Sequence, residues 1–378
     1  MDTEQKLNIL ADSSKFDLAC ACKYNDEPGR VRGPEGRWIY PATLPDGRKV
    51  FLLKTLQSNH CVNDCSYCPF NNTHDRPRCT LLSDDLARTF IQLRNANLVS
   101  GLFLSSGVCH QADATMTKML ATVELLRKKY KFRGFIHLKI LPGASDAAIE
   151  QAVRLATRVS INIEAPNAPR LEKLSSKKRF HEDIISVMRT IHRYKKELKP
   201  KCGQTTQFVV GAAGESDREI VTTTSRLYEK FQLERVYFSA YQNFNTTARL
   251  TQPTLFDDMP TKQLRNPDDI FMREHRLYQT EFLLRKYKFD REDIYFDENG
   301  NLSLQTDPKK IWADRHPEFF PVNLNRADRR DLLRIPGIGP LGASRILKAR
   351  RFHSLCSPTD LKPLKIRTNA CAPYIRFS

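Results

Sequence analysis

Short apolar strands alternate with amphipathic helices from residue 50 to residue 241, and that alternation limits the fold more than any other feature of the chain. The run Val50-Phe51-Leu52-Leu53-Lys54-Thr55-Leu56 reads as a buried strand. Further strands are expected at 101–107, 134–141, 158–164, 204–211 and 235–241. Helices fall between them. One has Leu86, Phe90 and Leu93 on a face, the next Met116, Leu120, Val123 and Leu126. Others are read over Asp146–Ala156, over Glu182–Leu198 and from Asp217 onward. Six strands, each but the last followed at once by a helix, predict an α/β fold with a parallel sheet.

A cysteine loop follows the first of these strands: His60-Cys61-Val62-Asn63-Asp64-Cys65-Ser66-Tyr67-Cys68-Pro69-Phe70. Spacings of four and three let Cys61, Cys65 and Cys68 turn toward one point. Three thiolates can hold three irons of a [4Fe–4S] cluster and leave the fourth iron open for chemistry. The alternative is a structural zinc, which takes four ligands and would recruit His60, His74 or Cys79.

Cys-x3-Cys-x2-Cys with Tyr67 before the last cysteine resembles the signature of the radical S-adenosylmethionine (SAM) enzymes. The resemblance implies a partial (β/α)6 TIM-type barrel with its chemistry at the C-terminal ends of the strands. It implies that SAM chelates the open iron through its amine and carboxylate, and is cleaved to a 5′-deoxyadenosyl radical that abstracts hydrogen from the substrate.

It also carries SAM-contact positions onto this chain. Ser105-Ser106-Gly107 stands where the superfamily often has Gly-Gly-Glu against the SAM amine. Asn162 and Glu164, on one face of the fourth strand, would bond the ribose hydroxyls. Val209, Gly211 and Glu215 match the element that lines adenine, with Glu215 anchoring the turn; Glu215 and Asp217 also suit the charge of a helix N-terminus. Lys139 would pair with the SAM carboxylate, and Tyr67, Phe238 and Tyr241 would pack near adenine or serve as plain core. Cys109 and Tyr241 are the candidates for a radical-quenching donor; no catalytic residue is assigned.

A second motif lies near the C-terminus. Ile335-Pro336-Gly337-Ile338-Gly339 resembles the turn of a helix-hairpin-helix module. Pro336 suits a helix stop, and Gly337 and Gly339 can adopt positive φ. The second helix aims its positive dipole end at the same spot, giving a cradle for a backbone phosphate without base reading. Ala343 and Ile346 would pack on the first helix. Arg345 and Lys348 join Arg326, Arg329, Arg330, Arg334, Arg350 and Arg351 as flanking charge. Lys+Arg 61 against Asp+Glu 43 leaves a net +18, which favours a polyanionic partner, nucleic acid first. Arg127-Lys128-Lys129 and Lys177-Lys178-Arg179 read as ordinary solvated helix faces within that excess.

Nearly the whole chain resembles the putative DNA modification/repair radical SAM proteins with a C-terminal helix-hairpin-helix. The resemblance lies in Lys6–Asp12, Gly101–Gly107, Ile136–Lys139, Glu215–Arg218, Arg273–Gln279 and the terminal hairpin. Four segments are expected: an N-terminal extension at 1–49, the barrel at 50–245, a linker, substrate-loop and helical extension at 246–320, and a small all-α domain at 321–378.

The expected function is SAM cleavage through a [4Fe–4S] cluster for modification or repair of DNA, with a one-electron donor such as flavodoxin or ferredoxin. The alternatives are modification of RNA such as tRNA, and a non-catalytic metal-stabilised DNA-binding protein. No secretory signal or membrane-spanning run is read, and ten cysteines without framework spacing suit a reducing cytoplasm. Cys20 and Cys22 alternate in an extended segment and make a poor metal pair.

Overall fold

The computed structural model describes residues 1–13, 39–43, 49–198, 200–242 and 267–377. Cys20, Cys22 and most of the expected substrate loop lie outside them. The chain divides into two compact units, Met1–Glu215 with Glu229–Arg265, and Ser216–Tyr228 with Asn266–Ser378.

The first unit opens with α1 (Thr3–Ser13), which buries Leu7 and Leu10. Then come β1 (Ile39–Thr43), β2 (Lys49–Leu56), α2 (Ser83–Asn95), β3 (Gly101–Ser105), α3 (Ala112–Glu124) and β4 (Phe135–Lys139). They are followed by α4 (Asp146–Leu155), β5 (Arg158–Ser160), α5 (Ala168–Glu172), α6 (Ser186–Leu198), β6 (Gly203–Val210) and β7 (Arg235–Ala240); between the last two runs α7 (Asp217–Phe231), most of which belongs to the second unit. The seven strands form one sheet in chain order. β1 is antiparallel to β2 and every later pair is parallel. The sheet curls into a half-barrel.

All six expected strands are present. Two details differ. β1 lies in a stretch without legible periodicity, and its partner β2 supplies the hydrogen bonds that make it a strand. The fourth expected strand stops at Ser160, short of Asn162 and Glu164, and Glu164 itself sits at φ +65°, outside any strand conformation.

Successive parallel strands joined by right-handed crossovers put their helices on one face of the sheet. Leu102, Ile136, Val159 and Val236 fill that side and are fully buried. The alternate residues face the other way. In register they run Lys54, Phe103, His137 and Arg158, so the concave side is largely polar. Lys54 Nζ lies 4.7 Å from the Phe103 ring centre. His137 Nε2 lies 2.7 Å from Ser160 Oγ, and burial, reinforced by Arg158, holds the imidazole well below its ordinary pKa.

One of the runs read as a solvated face is structural. Arg127 donates to the carbonyls of Leu155, Phe132 and Gly134 at 2.8–2.9 Å, while Lys128 and Lys129 are exposed.

The second unit contains α8 (Pro267–Phe282), α9 (Pro308–Asp314), β8 (Val322–Asn323), α10 (Arg329–Arg334), α11 (Pro340–Ala349), α12 (Thr368–Cys371) and β9 (Ile375–Arg376). Buried Asp217 accepts from Arg273 Nε at 2.7 Å and from the Leu302 amide at 2.8 Å. Leu332, Ile335, Ile338, Ala343, Ile346 and Leu361 belong to one core. The expectation of an all-α C-terminal segment is corrected by β8 and β9, a short parallel pair matching Val322 with Ile375. Two-residue strands are too short to show a period in sequence. Among the described residues no helix is long and apolar enough to cross a membrane.

Candidate active site

The cysteine loop follows β2, at the C-terminal edge of the parallel strands. Its start is pinned to the segment after β3: Val62 N donates to Val108 O at 2.9 Å and Gly107 N to Ser58 O at 2.8 Å. A Cβ on Gly107 would stand 2.3 Å from the His60 carbonyl oxygen and 3.1 Å from Cys61 Cβ. The bare α-carbon therefore seats the loop.

The three thiols lie within one another's electrostatic reach. Burial, then the Cys65 and Cys61 thiolates, push Cys68 up to about 12 against the opposing Phe70 amide and Lys178. A bound cation would relieve the cost of ionising Cys68. Of the residues a structural zinc would recruit, two are turned elsewhere: His74 Nδ1 to Pro69 O at 3.3 Å and Cys79 Sγ to Lys6 O at 3.7 Å. Among the described residues no three His, Cys, Asp or Glu gather as ligands of one ion. Thiolates that each bind a different iron stand farther apart than that.

The segment Leu174–Lys178 straps the loop from the far side. Leu174 O accepts from Ser66 N at 2.8 Å. Ser175 Oγ and Ser176 Oγ donate to the two Asp64 oxygens at 2.5 and 2.6 Å. These hydroxyls, with the Ser176 amide, outweigh burial and bring Asp64 down to about 2. Lys177 Nζ donates to Val62 O at 2.6 Å.

Lys178, read from sequence as solvated, is buried and donates to Tyr67 OH at 2.8 Å and Glu164 Oε1 at 3.1 Å. Burial opposes its charge, but the Cys65 thiolate and the Glu164 carboxylate outweigh that and raise its pKa. Burial, followed by the same two anions, pushes the Tyr67 phenol well above its ordinary value. Sequence reasoning missed Lys178. The available signal was a lysine two residues before Phe180, which is weak.

The other expected SAM positions are placed as follows. Ser105 is buried, and Ser106 Oγ donates to Gly107 O at 2.8 Å and Ser58 O at 3.3 Å. Lys139 Nζ donates to Asn162 Oδ1. Asn162 and Glu164 lie past the end of β5, so strand alternation does not put them on one face. Instead Glu164 N donates to Gln207 O at 3.1 Å, and the positive φ aims its side chain at Lys178 while Oε2 stays buried without a partner. Gly211 turns at φ +90° just after Val209 and Val210 close β6. Glu215 accepts from Gly211 N at 2.5 Å and Ala213 N at 3.0 Å, which anchors that turn. Phe238 is core, stacked on Phe208 at 6.0 Å. Tyr241 N donates to Val210 O, and burial raises its phenol pKa. Cys109 Sγ lies 3.1 Å from Ser58 Oγ at the base of the loop.

In the second unit, α10 and α11 are joined through Ile335–Gly339. Pro336 and Ile338 are buried, Gly337 is exposed at φ +81°, and Arg345 and Lys348 are exposed. Two expectations are corrected. Gly339 has φ −102°, an ordinary extended N-cap of α11, and the glycine is needed because a Cβ would stand 3.1 Å from Tyr287 Oη. Arg334 is not flanking surface charge: it is buried, paired with Asp293 Oδ2 at 2.7 Å and held between Phe289 and Trp312. Arg350 likewise donates to Leu324 O and Ala327 O.

The cysteine loop stands at the C-terminal edge of a seven-stranded, mostly parallel sheet. Residues 56–227 match the family model of the Radical SAM superfamily, which supports membership in that superfamily. It is a radical SAM superfamily enzyme, and membership implies a [4Fe–4S] cluster and SAM as cofactors. No curated protein matches the chain.

Among solved structures it is similar to HydG, a maturase of the [FeFe]-hydrogenase, at 12% identity over 60% of this chain and 48% of that one, with a TM-score of 0.45. HydG from Carboxydothermus hydrogenoformans matches at 15% identity over 61% and 51%, TM-score 0.45. Methylornithine synthase (PylB) matches at 15% over 51% and 54%, TM-score 0.41. The chain spans about half the length of these structures.

Proposed function

We propose that Cys61, Cys65 and Cys68 hold the [4Fe–4S] cluster, and that the enzyme cleaves SAM to modify or repair nucleic acid, DNA before RNA. The observation that carries the cluster assignment is the three cysteines at spacings of four and three on one loop within the matched residues 56–227, seated by Gly107. Bound there, a reduced cluster would supply the electron for SAM cleavage and so the hydrogen-abstracting chemistry. The chain's own residues do the holding. Glu164 Oε2 offers a buried acceptor to a ligand hydroxyl. Gly211, at the turn fastened by Glu215, lets a flat ligand approach the backbone. Lys139, with Asn162 beside it, offers charge to a carboxylate. Reduction requires a one-electron donor, for which a flavodoxin or ferredoxin is proposed.

The hairpin supports the choice of nucleic acid. Lys309 Nζ donates to Ile338 O at 2.6 Å. Carbonyl and amide of one trans peptide point opposite ways, so the Gly339 N–H is turned away from Lys309. No side chain caps α11, which leaves its first-turn amides available to a phosphate. Arg326, Arg345, Lys348 and Arg351 are exposed in the same unit and add positive charge to it. The likeness to the putative DNA modification/repair radical SAM proteins points the same way.

Anaerobic reconstitution should give about four irons per chain and reductant-dependent 5′-deoxyadenosine from SAM. A reduced, fully loaded sample that makes none, with or without nucleic acid, overturns the enzyme reading. Competition among duplex DNA, single strands and tRNA tests the substrate class, and a strong preference for tRNA overturns DNA.

A further inference from the structure

Lys178 sits in a basic run whose other two members are exposed, yet its own side chain is only 8% exposed and that of its partner Glu164 only 6%. A buried ammonium is costly unless its donors are matched. Nζ donates to Tyr67 OH at 2.8 Å and to Glu164 Oε1 at 3.1 Å, and the neighbouring Cys65 sulfur adds to the negative charge that favours the ammonium. It also lies 5.4 Å from the centre of the Tyr67 ring.

Tyr67 belongs to the cysteine loop, and Glu164 stands between β5 and α5. Glu164 reaches its position through a positive φ, rare for a residue with a Cβ and held only where the surroundings determine it. One of its oxygens is fixed by Lys178, and the other is buried without a partner. The lysine thus sets the direction in which the vacant oxygen faces.

We propose that Lys178 is a positioning residue that ties Tyr67 to Glu164, making the cysteine loop and the Glu164 acceptor one rigid body with a cation in the outer shell of the cluster. The inference rests on the assignment of Cys61, Cys65 and Cys68 as cluster ligands. Local charge helps to set a cluster's reduction potential. A cation beside the cysteine loop favours the added electron. Its removal withdraws that stabilisation and leaves the Glu164 carboxylate uncompensated nearby. A purely structural lysine would affect folding and yield but not the potential of the clusters that assemble.

The test uses the full chain as wild type, Lys178→Arg, Lys178→Met, and Lys178→Met combined with Glu164→Gln. The double variant removes the stranded carboxylate, so it folds even where the single one does not. Each is reconstituted anaerobically with iron and sulfide. Iron per chain is measured, and the midpoint potential is read by electron paramagnetic resonance during a redox titration without SAM or substrate. The expected result is about tenfold weaker cluster retention in Lys178→Met, the lower end of what losing an outer-shell partner costs. Its midpoint should move to more negative potential, the double variant should also stay below wild type, and Lys178→Arg should recover most of both. Midpoints in Lys178→Met and the double variant equal to wild type overturn the proposal, as does a shift that Lys178→Arg does not reverse. A wild-type chain that assembles no cluster overturns the ligand assignment itself, and the inference with it.

Discussion

Gly107 packs against the His60 carbonyl so closely that a Cβ in its place would lie 2.3 Å from the oxygen. Its φ is not in the left-handed region, so close approach alone explains the glycine. Gly107→Ala must push the start of the cysteine loop away. The expected cost is about 1–3 kcal/mol of stability, as for other overpacked sites, together with a several-fold loss of bound iron after reconstitution. Calorimetry and iron analysis on the same preparation check both, and full iron loading in the alanine variant would refute the seating role.

The turn after β6 depends on Glu215, whose carboxylate collects the Gly211 and Ala213 amides. Glu215→Ala should cost about 1.5–3 kcal/mol, the range for hydrogen bonds to a charged group, and should weaken SAM binding. Glu215→Gln retains one acceptor oxygen and should fall between. Equilibrium dialysis with SAM on cluster-loaded protein measures the effect; equal affinity in all three would separate the turn from the SAM site.

Lys309 gives the second unit a pH signature. Burial, aided by Arg334 and opposed by Asp307, brings it down to about 7 from an ordinary 10.5. Its folded pKa lies below the unfolded one, so the unfolded chain binds more protons between those values and stability rises with pH. The penalty is complete below pH 7 and relieved by about pH 10.5. Compared with Lys309→Met, the wild type should therefore gain ground from pH 7 to pH 10, by an amount on the order of a few kcal/mol. Urea titrations of both proteins across that range provide the test, and a constant difference contradicts it.

Two kinds of arginine and lysine flank the hairpin, and substitution should separate them. Lys348→Ala and Arg351→Ala should each weaken duplex DNA binding and reduce the slope of log K against log salt by about one. Arg334→Ala should leave the slope unchanged and cost about 1.5–3 kcal/mol, the range for a hydrogen bond to a charged group, since it removes the buried guanidinium from Asp293. Fluorescence anisotropy over a salt series distinguishes them; an Arg334 variant that is stable but loses a unit of slope would return it to the binding face.

Much of the barrel was legible because periodicity is a local property. Leu102 and Leu104 alternate with Phe103 whatever the rest of the chain does, and the same holds along β4 and β7. The cysteine loop was legible for a similar reason: its spacing and its place after a strand are both written within about twenty residues of each other. The corrections share the opposite character. Lys177, Lys178 and Arg179 are indistinguishable in one dimension, and only the fold carries Glu164 and Tyr67 to the middle one. Arg334 looks like its neighbours until Asp293, Phe289 and Trp312 close around it.

The amino-acid order therefore determined the alternating strands and helices, the three-thiol loop at a strand's end and the glycines that let backbone segments approach. These follow from side-chain period, backbone freedom and short spacings, none of which needs a distant partner. The tertiary structure decided which charges are buried, where the fourth strand breaks and what Gly107 and Gly339 accommodate. A charge is buried only when its partner arrives from elsewhere in the chain: for Lys178 that partner includes Tyr67, more than a hundred residues before it.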